Sequence, residues 1–369
     1  MMISRRLGGG EEAYCTYVEE TDDPDKSGPT KIALDLKMEK GSKKMIIVTG
    51  GAGFIGSAFV WKLNQEGIDN IVIVDQLGKD DKWKNLVNLR FVNYIHKDDF
   101  SELIYNDTLN FDVEAIIHMG ACSSTTERNA DYLWQNNFVY TGNLAEWAVE
   151  HNTRFIYASS AATYGDGKQG FSDDHSMINK LKPINMYGYS KQVFDLRALR
   201  ESWENKIAGI KFFNVFGPNE YHKGDMSSVI FKSFHQIKET GKVKLFKSYN
   251  PEYKDGGQMR DFVYIKDCID VLWWLFNNPD VNGIFNLGTG KARTWNDLIR
   301  AVFDAMQLTA NIEYIEMPES LRNQYQYFTE AKMDKLKAMG CPVAFSSLED
   351  SVRDYVVNYL QKADPHLGE

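Results

Sequence analysis

The sequence predicts an α/β fold, a doubly wound parallel sheet with a smaller C-terminal α/β part, on three observations. Short, continuously apolar, β-branched runs alternate with stretches of helical period from Met45 onward. A glycine-rich turn follows the first run and opens the first helix. After Gly217 the alternation loosens into longer loops rich in Gly, Lys, Tyr and Asn.

The expected strands, in order, are MIIVT (45–49), NIVIVD (70–75), LRFVNYI (89–95), VEAIIHMGA (113–121), RFIYASS (154–160) and GIKFFNVFG (209–217). Apolar residues at every position, rather than at alternate ones, mean strands covered on both faces. The first connector, FIGSAFVWKLNQEG (54–67), spaces Ile55, Phe59 and Leu63 by four and ends on Gly67, the residue a helix C-terminus favours. SSVIFKSFHQIKE (227–239) and TWNDLIRAVFDAM (294–306) are helical in period. The expected division is therefore a dinucleotide-binding part at 45–217, with segments near 260–290 returning to its sheet, and a mainly substrate-binding part at 218–369. Residues 1–44 differ in composition: a triple glycine, the acidic EETDDPDKSGP and the basic MEKGSKK make them a tag-like or flexible extension, although AYCTYVEE and KIALDLKME have the make-up of short strands.

With 43% hydrophobic and 25% charged residues the chain is globular rather than disordered, and 369 residues allow one large domain with a companion. A net charge of -9 argues against a broad phosphate-neutralising face, and hence against nucleic-acid binding. No run approaches a membrane span, and the first residues lack a signal peptide's apolar stretch, so the cytoplasm is the expected compartment. The 4 cysteines are scattered without a C-x-x-C pair, which suggests neither a metal site nor a disulfide framework.

TGGAGFIGS (49–57) carries Gly50, Gly51, Gly53 and Gly56 between a strand and a helix, the setting in which backbone N–H groups and a helix N-terminus receive a pyrophosphate. The next strand ends on Asp75, placed to accept hydrogen bonds from an adenosine ribose, which makes the arrangement Rossmann-type. Asp75 favours NAD because it repels a 2′-phosphate. The loop QLGKDDKWK offers Lys79, Lys82 and Lys84 to pair that phosphate, so NADP and NAD are both open.

Tyr187 and Lys191, spaced four apart in NMYGYSK, share a helical face. A phenol is a poor base at neutral pH, and a nearby ammonium is expected to lower its pKa. Ser160 stands at the C-terminal end of the fifth expected strand, the ligand-facing edge of such sheets, where its hydroxyl can position an alcohol beside Tyr187.

With TGGAGFIG, the Ser160, Tyr187 and Lys191 trio, FFNVFGP (212–218) and RDFVYIKD (260–267), the chain resembles the extended short-chain dehydrogenase/reductase family. ACSSTTE (121–127), SSAATYG (159–165), YGYSK (187–191), HKGDMSSV (222–229) and GIFNLGTG (283–290) are similar to its branch of ADP-heptose 6-epimerases. The likeness runs from Met45 nearly to the C-terminus. It implies an ADP-linked manno-heptose inverted at C6 with tightly held NADP, a place in lipopolysaccharide inner-core synthesis, and a homopentamer. It also implies roles residue by residue. Tyr187 and Lys191 match the motif tyrosine and lysine, and Lys223 matches a second acid/base group. Phe54, Ile55, Asp75, Gln76, Lys82, Lys97, Met119, Gly120, Ala121, Cys122, Ser123, Asn136 and Val215 match cofactor positions, while Asn214, Asp225, Lys232, Arg260 and Tyr325 match sugar-nucleotide positions. Met119, Asp225 and Lys232 depart from the residues the family pattern leads one to expect.

A second acid/base group is what the implied reaction requires. If hydride leaves C6 and returns to the opposite face, the ketone must turn about C5–C6, and its oxygen then lies beyond reach of the first group. Arg260 is expected to fork onto a diphosphate, or else to pair with Asp261 or Asp267. Two rival readings remain. Another sugar-nucleotide 4-epimerase or dehydratase is the first, although a dehydratase of this family places carboxylates just after the serine, where this chain has Ala161, Ala162 and Thr163. A non-catalytic nucleotide sensor is the second, and the retained trio argues against it.

Overall fold

A computed structural model describes residues 44–322 and 325–368. The tag-like extension expected at 1–44 therefore lies outside the described residues except for Lys44. Seven parallel strands form the main sheet: β1 Met45–Thr49, β2 Ile71–Asp75, β3 Asn93–His96, β4 Val113–His118, β5 Arg154–Ser160, β6 Ile207–Phe212 and, after four short strands elsewhere, β11 Gly283–Leu287. Across the sheet they run β11-β6-β5-β4-β1-β2-β3. The chain moves outward one way from β1 through β2 to β3, then returns to β4 and moves the other way. The order thus reverses between β1 and β4, and at such a reversal the two following loops diverge and leave a crevice at the C-terminal strand ends.

The strands hold this position because both faces are dry. Ile46, Val48, Ile73, Ile117 and Ile156 point to one side and pack with Phe59 and Leu63 of α1 Phe54–Gln65 and Leu272 of α8 Ile265–Asn277. Ile47, Val72, Val74, Ile116 and Phe155 point to the other, against Phe100 of α2 Lys97–Tyr105, Leu144 of α4 Tyr140–Glu150 and Phe194 of α6 Met186–Arg200. Alternate side chains of each strand thus feed opposite cores, and each buried Ile, Val or Leu contributes about 1.5–3 kcal/mol. The short α3 Ala130–Leu133 enters α4 through a π-type turn at Trp134–Val139, and α5 His175–Ile178 precedes α6. Helix α1 ends one residue before its cap Glu66, and Gly67 follows at φ +75°, the left-handed turn that a C-terminal glycine permits.

Three expected strands differ, the run at 113–121 ending as a strand at His118. The run at 89–95 is extended only from Asn93, because Leu89 still closes the preceding turn with its N–H on Leu86 O at 3.1 Å. The run at 209–217 is two strands, β6 and β7 Asn214–Phe216. Phe213 donates to Leu287 O of β11, whereas Asn214 donates to Asp261 O, so the chain exchanges partners there and β7 pairs with β10 Phe262–Tyr264. The remaining strands, β8 Val243–Phe246, β9 Met259–Arg260, β12 Arg293–Thr294 and β13 Ile312–Ile315, form two further two-stranded pairs, β12 with β9 and β13 with β8, in the same part of the chain as α7 Val229–Thr240 and α9 Trp295–Ala305. No helix among the described residues is long and apolar enough to cross a membrane.

Candidate active site

The crevice between β1 and β4 is closed at its floor by direct backbone contact. Gly50 sits at φ +64°, and a Cβ there would lie 2.6 Å from the Gly120 nitrogen. Only glycine lets the two loops meet. Above this contact one cleft gathers Gly50, Asp75, Gln76, Lys82, Lys97, Gly120, Ala121, Cys122 and Asn136 of the expected cofactor set. Gly51 and Gly53 form the turn beneath, and Phe54, Ile55 and Gly56 begin α1. Met119 ties back to Thr49 O at 3.0 Å, and Val215 lies in β7, opposite Val263. Two tyrosines that motif matching missed, Tyr132 and Tyr140, also line the cleft.

Asp75 is held as an anchor. Its carboxylate accepts from Ala52 N at 2.8 Å, from Gln76 N at 2.7 Å and from Lys82 Nζ at 2.8 Å. Lys97 donates to Asn136 Oδ1 at 3.1 Å. A nicotinamide dinucleotide fits this residue set on the glycine contact and on one orphaned group. The Tyr140 hydroxyl is buried without a hydrogen-bond partner in a cleft of polar neighbours.

A chain of hydrogen bonds organises the cleft wall. His118, 1% exposed, lies between Thr49 Oγ1 at 2.6 Å and Thr141 Oγ1 at 2.8 Å. Thr141 donates to Asn137 O at 2.6 Å, so its oxygen accepts from His118 Nε2–H, and Nδ1 accepts from the Thr49 hydroxyl. Burial, with the Lys191 ammonium nearby, holds the imidazole well below its ordinary pKa, and it stays neutral. Asn137 then clamps the 120–123 loop, accepting from Cys122 N and donating to Cys122 O, both at 2.9 Å, and donates to Ser190 Oγ of α6 at 3.0 Å.

Helix α6 carries the expected Tyr187 and Lys191. Asn185 caps it by accepting from Gly188 N at 2.8 Å. A Cβ on Gly188 would stand 2.6 Å from Ala162 O, so this glycine lets α6 press onto the turn after Ser160. The Tyr187 phenol lies beside the Ser160 hydroxyl there. Ser160 Oγ accepts from Ala162 N at 3.1 Å. The expected lowering of the Tyr187 pKa by Lys191 is not what this geometry produces. Burial raises the phenol, the Ser160 hydroxyl opposing, and burial lowers Lys191 to about 8, opposed by Asp195 and Cys122. Desolvation is the largest influence on each of the two.

Lys223 lies on a different element, a turn at Tyr221–Met226 with its ammonium 5.0 Å from the Phe54 ring centroid. Two asparagines stitch this turn to the glycine loop and α1. Asn85 donates to Ala52 O at 2.9 Å and to Asn219 O at 3.0 Å, and Asn219 donates to Ser57 Oγ at 2.9 Å. Burial lowers the Lys223 pKa, the buried Glu220 opposing.

The five expected substrate residues fall in separate places. Tyr325 lines an aromatic cavity of about 450 Å³ with Phe171, Tyr253, Tyr327 and Phe328. Arg260 lies 5.5 Å from the Tyr325 ring. It makes neither expected ion pair: it donates to Met259 O at 2.8 Å and to Gln326 O, while Asp261 accepts from Thr289, Gly290 and Ala331 and Asp267 from Ser346. Arg260 therefore holds the cavity wall. Lys232 donates to Asp225 O at 2.5 Å near the start of α7, and the exposed Asn214 pairs with Phe262 in β7.

The profile of the NAD dependent epimerase/dehydratase family matches residues 46–288. The ADP-L-glycero-D-manno-heptose-6-epimerase of Nitratidesulfovibrio vulgaris is 62% identical over 323 residues, covering 88% of this chain and all of the relative. That of Fusobacterium nucleatum is 51% identical over 332 residues, with 88% and 100% covered. Among solved structures, the Helicobacter pylori ADP-L-glycero-D-manno-heptose-6-epimerase superposes with a TM-score of 0.70 at 27% identity, covering 86% of this chain and 96% of that one. The Thermus thermophilus UDP-glucose 4-epimerase with NAD gives 0.65 at 22% identity, with 85% and 97% covered, a likeness of fold alone.

Proposed function

The chain belongs to the NAD dependent epimerase/dehydratase family, and from that premise we propose that it inverts C6 of ADP-D-glycero-β-D-manno-heptose to give ADP-L-glycero-β-D-manno-heptose. What supports the reading is that two side chains able to move a proton lie on separate elements: Tyr187 on α6 beside Ser160 at the end of β5, and Lys223 on the turn stitched to the glycine loop. A nicotinamide dinucleotide held by the glycine loop, Asp75 and Lys82 would supply the hydride acceptor and, after the ketone has turned, the donor.

The chain's own residues handle everything else. Ser160 orients the C6 oxygen by hydrogen bonding beside the phenol. One of Tyr187 and Lys223 takes the hydroxyl proton as hydride leaves C6, and the other gives a proton to the oxygen once rotation about C5–C6 has carried it to its second position. The proton count balances over the cycle. Lys191 places its ammonium one turn from Tyr187, where it offsets negative charge developing on the phenolate. The dehydratase alternative lacks its carboxylates, since Ser160 is followed by Ala161, Ala162 and Thr163 in a tight turn.

The finer parts of the reading belong to the same proposal. Lys82 and Lys97 in the cleft favour NADP over NAD. We likewise propose the cytoplasm as compartment and the division at about residue 217, where the alternation of strands and helices loosens; the lipopolysaccharide inner core as the product's destination and a homopentamer come with the resemblance. Incubating the purified protein with ADP-D-glycero-β-D-manno-heptose, without added dinucleotide, tests the central statement. Accumulation of the L-glycero epimer is expected. Turnover of UDP-glucose instead would move the assignment to a 4-epimerase.

A further inference from the structure

Tyr187, Lys191 and Asp195 recur every fourth residue along α6 and so share a face of that helix. Asp195 is 0% exposed, as is Lys211 near the C-terminal end of β6. Lys211 Nζ meets Asp195 Oδ2 at 2.5 Å. Tyr157 donates to Asp195 Oδ1 at 2.9 Å and Ser159 to Oδ2 at 2.8 Å. The second bond of Lys211 goes to Thr163 Oγ1 at 2.8 Å, and Thr163 in turn donates to Ser160 O at 2.8 Å.

The consequence is geometric. Ser160 is gripped on both sides, through Ser159 by Asp195 and through Thr163 by Lys211, while Asp195 stands one turn from Lys191 and two from Tyr187. A buried ion pair is a poor device for stability alone, because apolar residues of similar volume serve as well or better. Its place behind all three site residues points to another role. We infer that the Asp195–Lys211 pair is a positioning unit that holds Ser160 in register with Tyr187 and sets the field at the Lys191 ammonium, a role that rests on the assignments proposed above for Ser160, Tyr187 and Lys191.

The charged and titratable groups around Lys191 are few enough for the sign to be worked out. Asp195 lies on its own helix, Cys122 in the loop after β4, and the neutral His118 at the end of β4. Burial lowers Lys191 to about 8, and Asp195 is the larger of the two influences opposing that fall. Removing the Asp195 charge lets Lys191 fall further. Removing the Lys211 charge leaves Asp195 uncompensated and lifts Lys191.

The test is the pH dependence of kcat for the enzyme with its dinucleotide bound, in wild type, Asp195→Asn, Lys211→Met and the double variant. The basic limb is expected to move about one pH unit down in Asp195→Asn and about one unit up in Lys211→Met. It should return close to its original place in the double variant, which buries no charge. Lys211→Arg should keep the wild-type profile. Ser159→Ala and Thr163→Val, which cut one tether each without removing a charge, should lower kcat with the limb in place. Should a single-charge variant fail to fold, the double variant, Lys211→Arg and the two tether variants still decide the matter. Folded variants whose limb stays put, or singles shifting in one direction, together with tether variants of wild-type kcat, would overturn the inference. Lys191→Met separates the two layers: full activity in that variant defeats the site reading itself, whereas its loss beside unmoved profiles defeats only the positioning role.

Discussion

Lys82 and Asp75 form one unit in the dinucleotide cleft, the ammonium 2.8 Å from the carboxylate that ends β2. The cation thereby offsets a charge that would repel a 2′-phosphate, and under the proposed preference for NADP it would pair that phosphate. Replacing Lys82 with Ala is expected to weaken NADP by about 1.5–3 kcal/mol more than NAD. Calorimetric titration of both dinucleotides into stripped protein measures the difference, and equal losses would remove Lys82 from phosphate recognition.

Gly188→Ala should separate Tyr187 from Ser160, because the added methyl meets Ala162 O at 2.6 Å. Neither residue itself is altered. The expected result is a fall in kcat of roughly 10²-fold, the scale of a small misplacement at a reacting centre, with co-purified dinucleotide unchanged. A variant of normal kcat would show that the close approach of α6 to this turn does not matter for the chemistry.

Tyr187→Phe and Lys223→Ala are each expected to lower the rate by about 10²–10⁴, with nucleotide binding near normal. Pre-steady-state analysis of each variant, with dinucleotide content measured in parallel, provides the check. A harmless Lys223→Ala would leave the oxidation step standing and remove the second acid/base group.

His118 gives a signed pH dependence of stability. Its folded pKa is well below 6.5, so as pH falls beneath about 6.5 the unfolded chain binds a proton that the native state refuses. Stability present above that pH is lost below it, by about 1 kcal/mol between pH 7 and 5.5. Denaturant titrations of wild type and His118→Gln at the two pH values compare the slopes. The variant should lose less on acidification, and identical losses would mean that His118 is charged in the folded protein.

Much of this architecture was legible in the residues because it is written locally. The apolar runs that become β1, β2, β4 and β5 need both faces covered, and the glycine turn, Asp75 and the Tyr187–Lys191 spacing carry their chemistry within a few positions. What escaped depends on distant partners. His118 acquires its role from Thr49, 69 residues away, and Thr141, 23 residues away. Asp195 follows Tyr187 and Lys191 at the same spacing but was not singled out, because nothing local links it to Lys211 on β6. The division of 209–217 into β6 and β7 likewise follows from Leu287 and Asp261, which take over the backbone bonds there. For Arg260, adjacency to Asp261 suggested an ion pair as the alternative to diphosphate binding, whereas Asp261 is already satisfied by the 289–290 turn and Ala331.

The central claim is direct, reversible hydride transfer at C6 with the protons handled separately by Tyr187 and Lys223. In such a cycle the C6 hydrogen goes to the dinucleotide and returns without passing through solvent, whereas removal of a proton from carbon exposes it to exchange. The most direct measurement is epimerisation of ADP-D-glycero-β-D-manno-heptose in heavy water, with deuterium at C6 of the product read by mass spectrometry and NMR. The account predicts an L-glycero product carrying no deuterium at C6. Deuterium incorporated at C6 in step with turnover would contradict it.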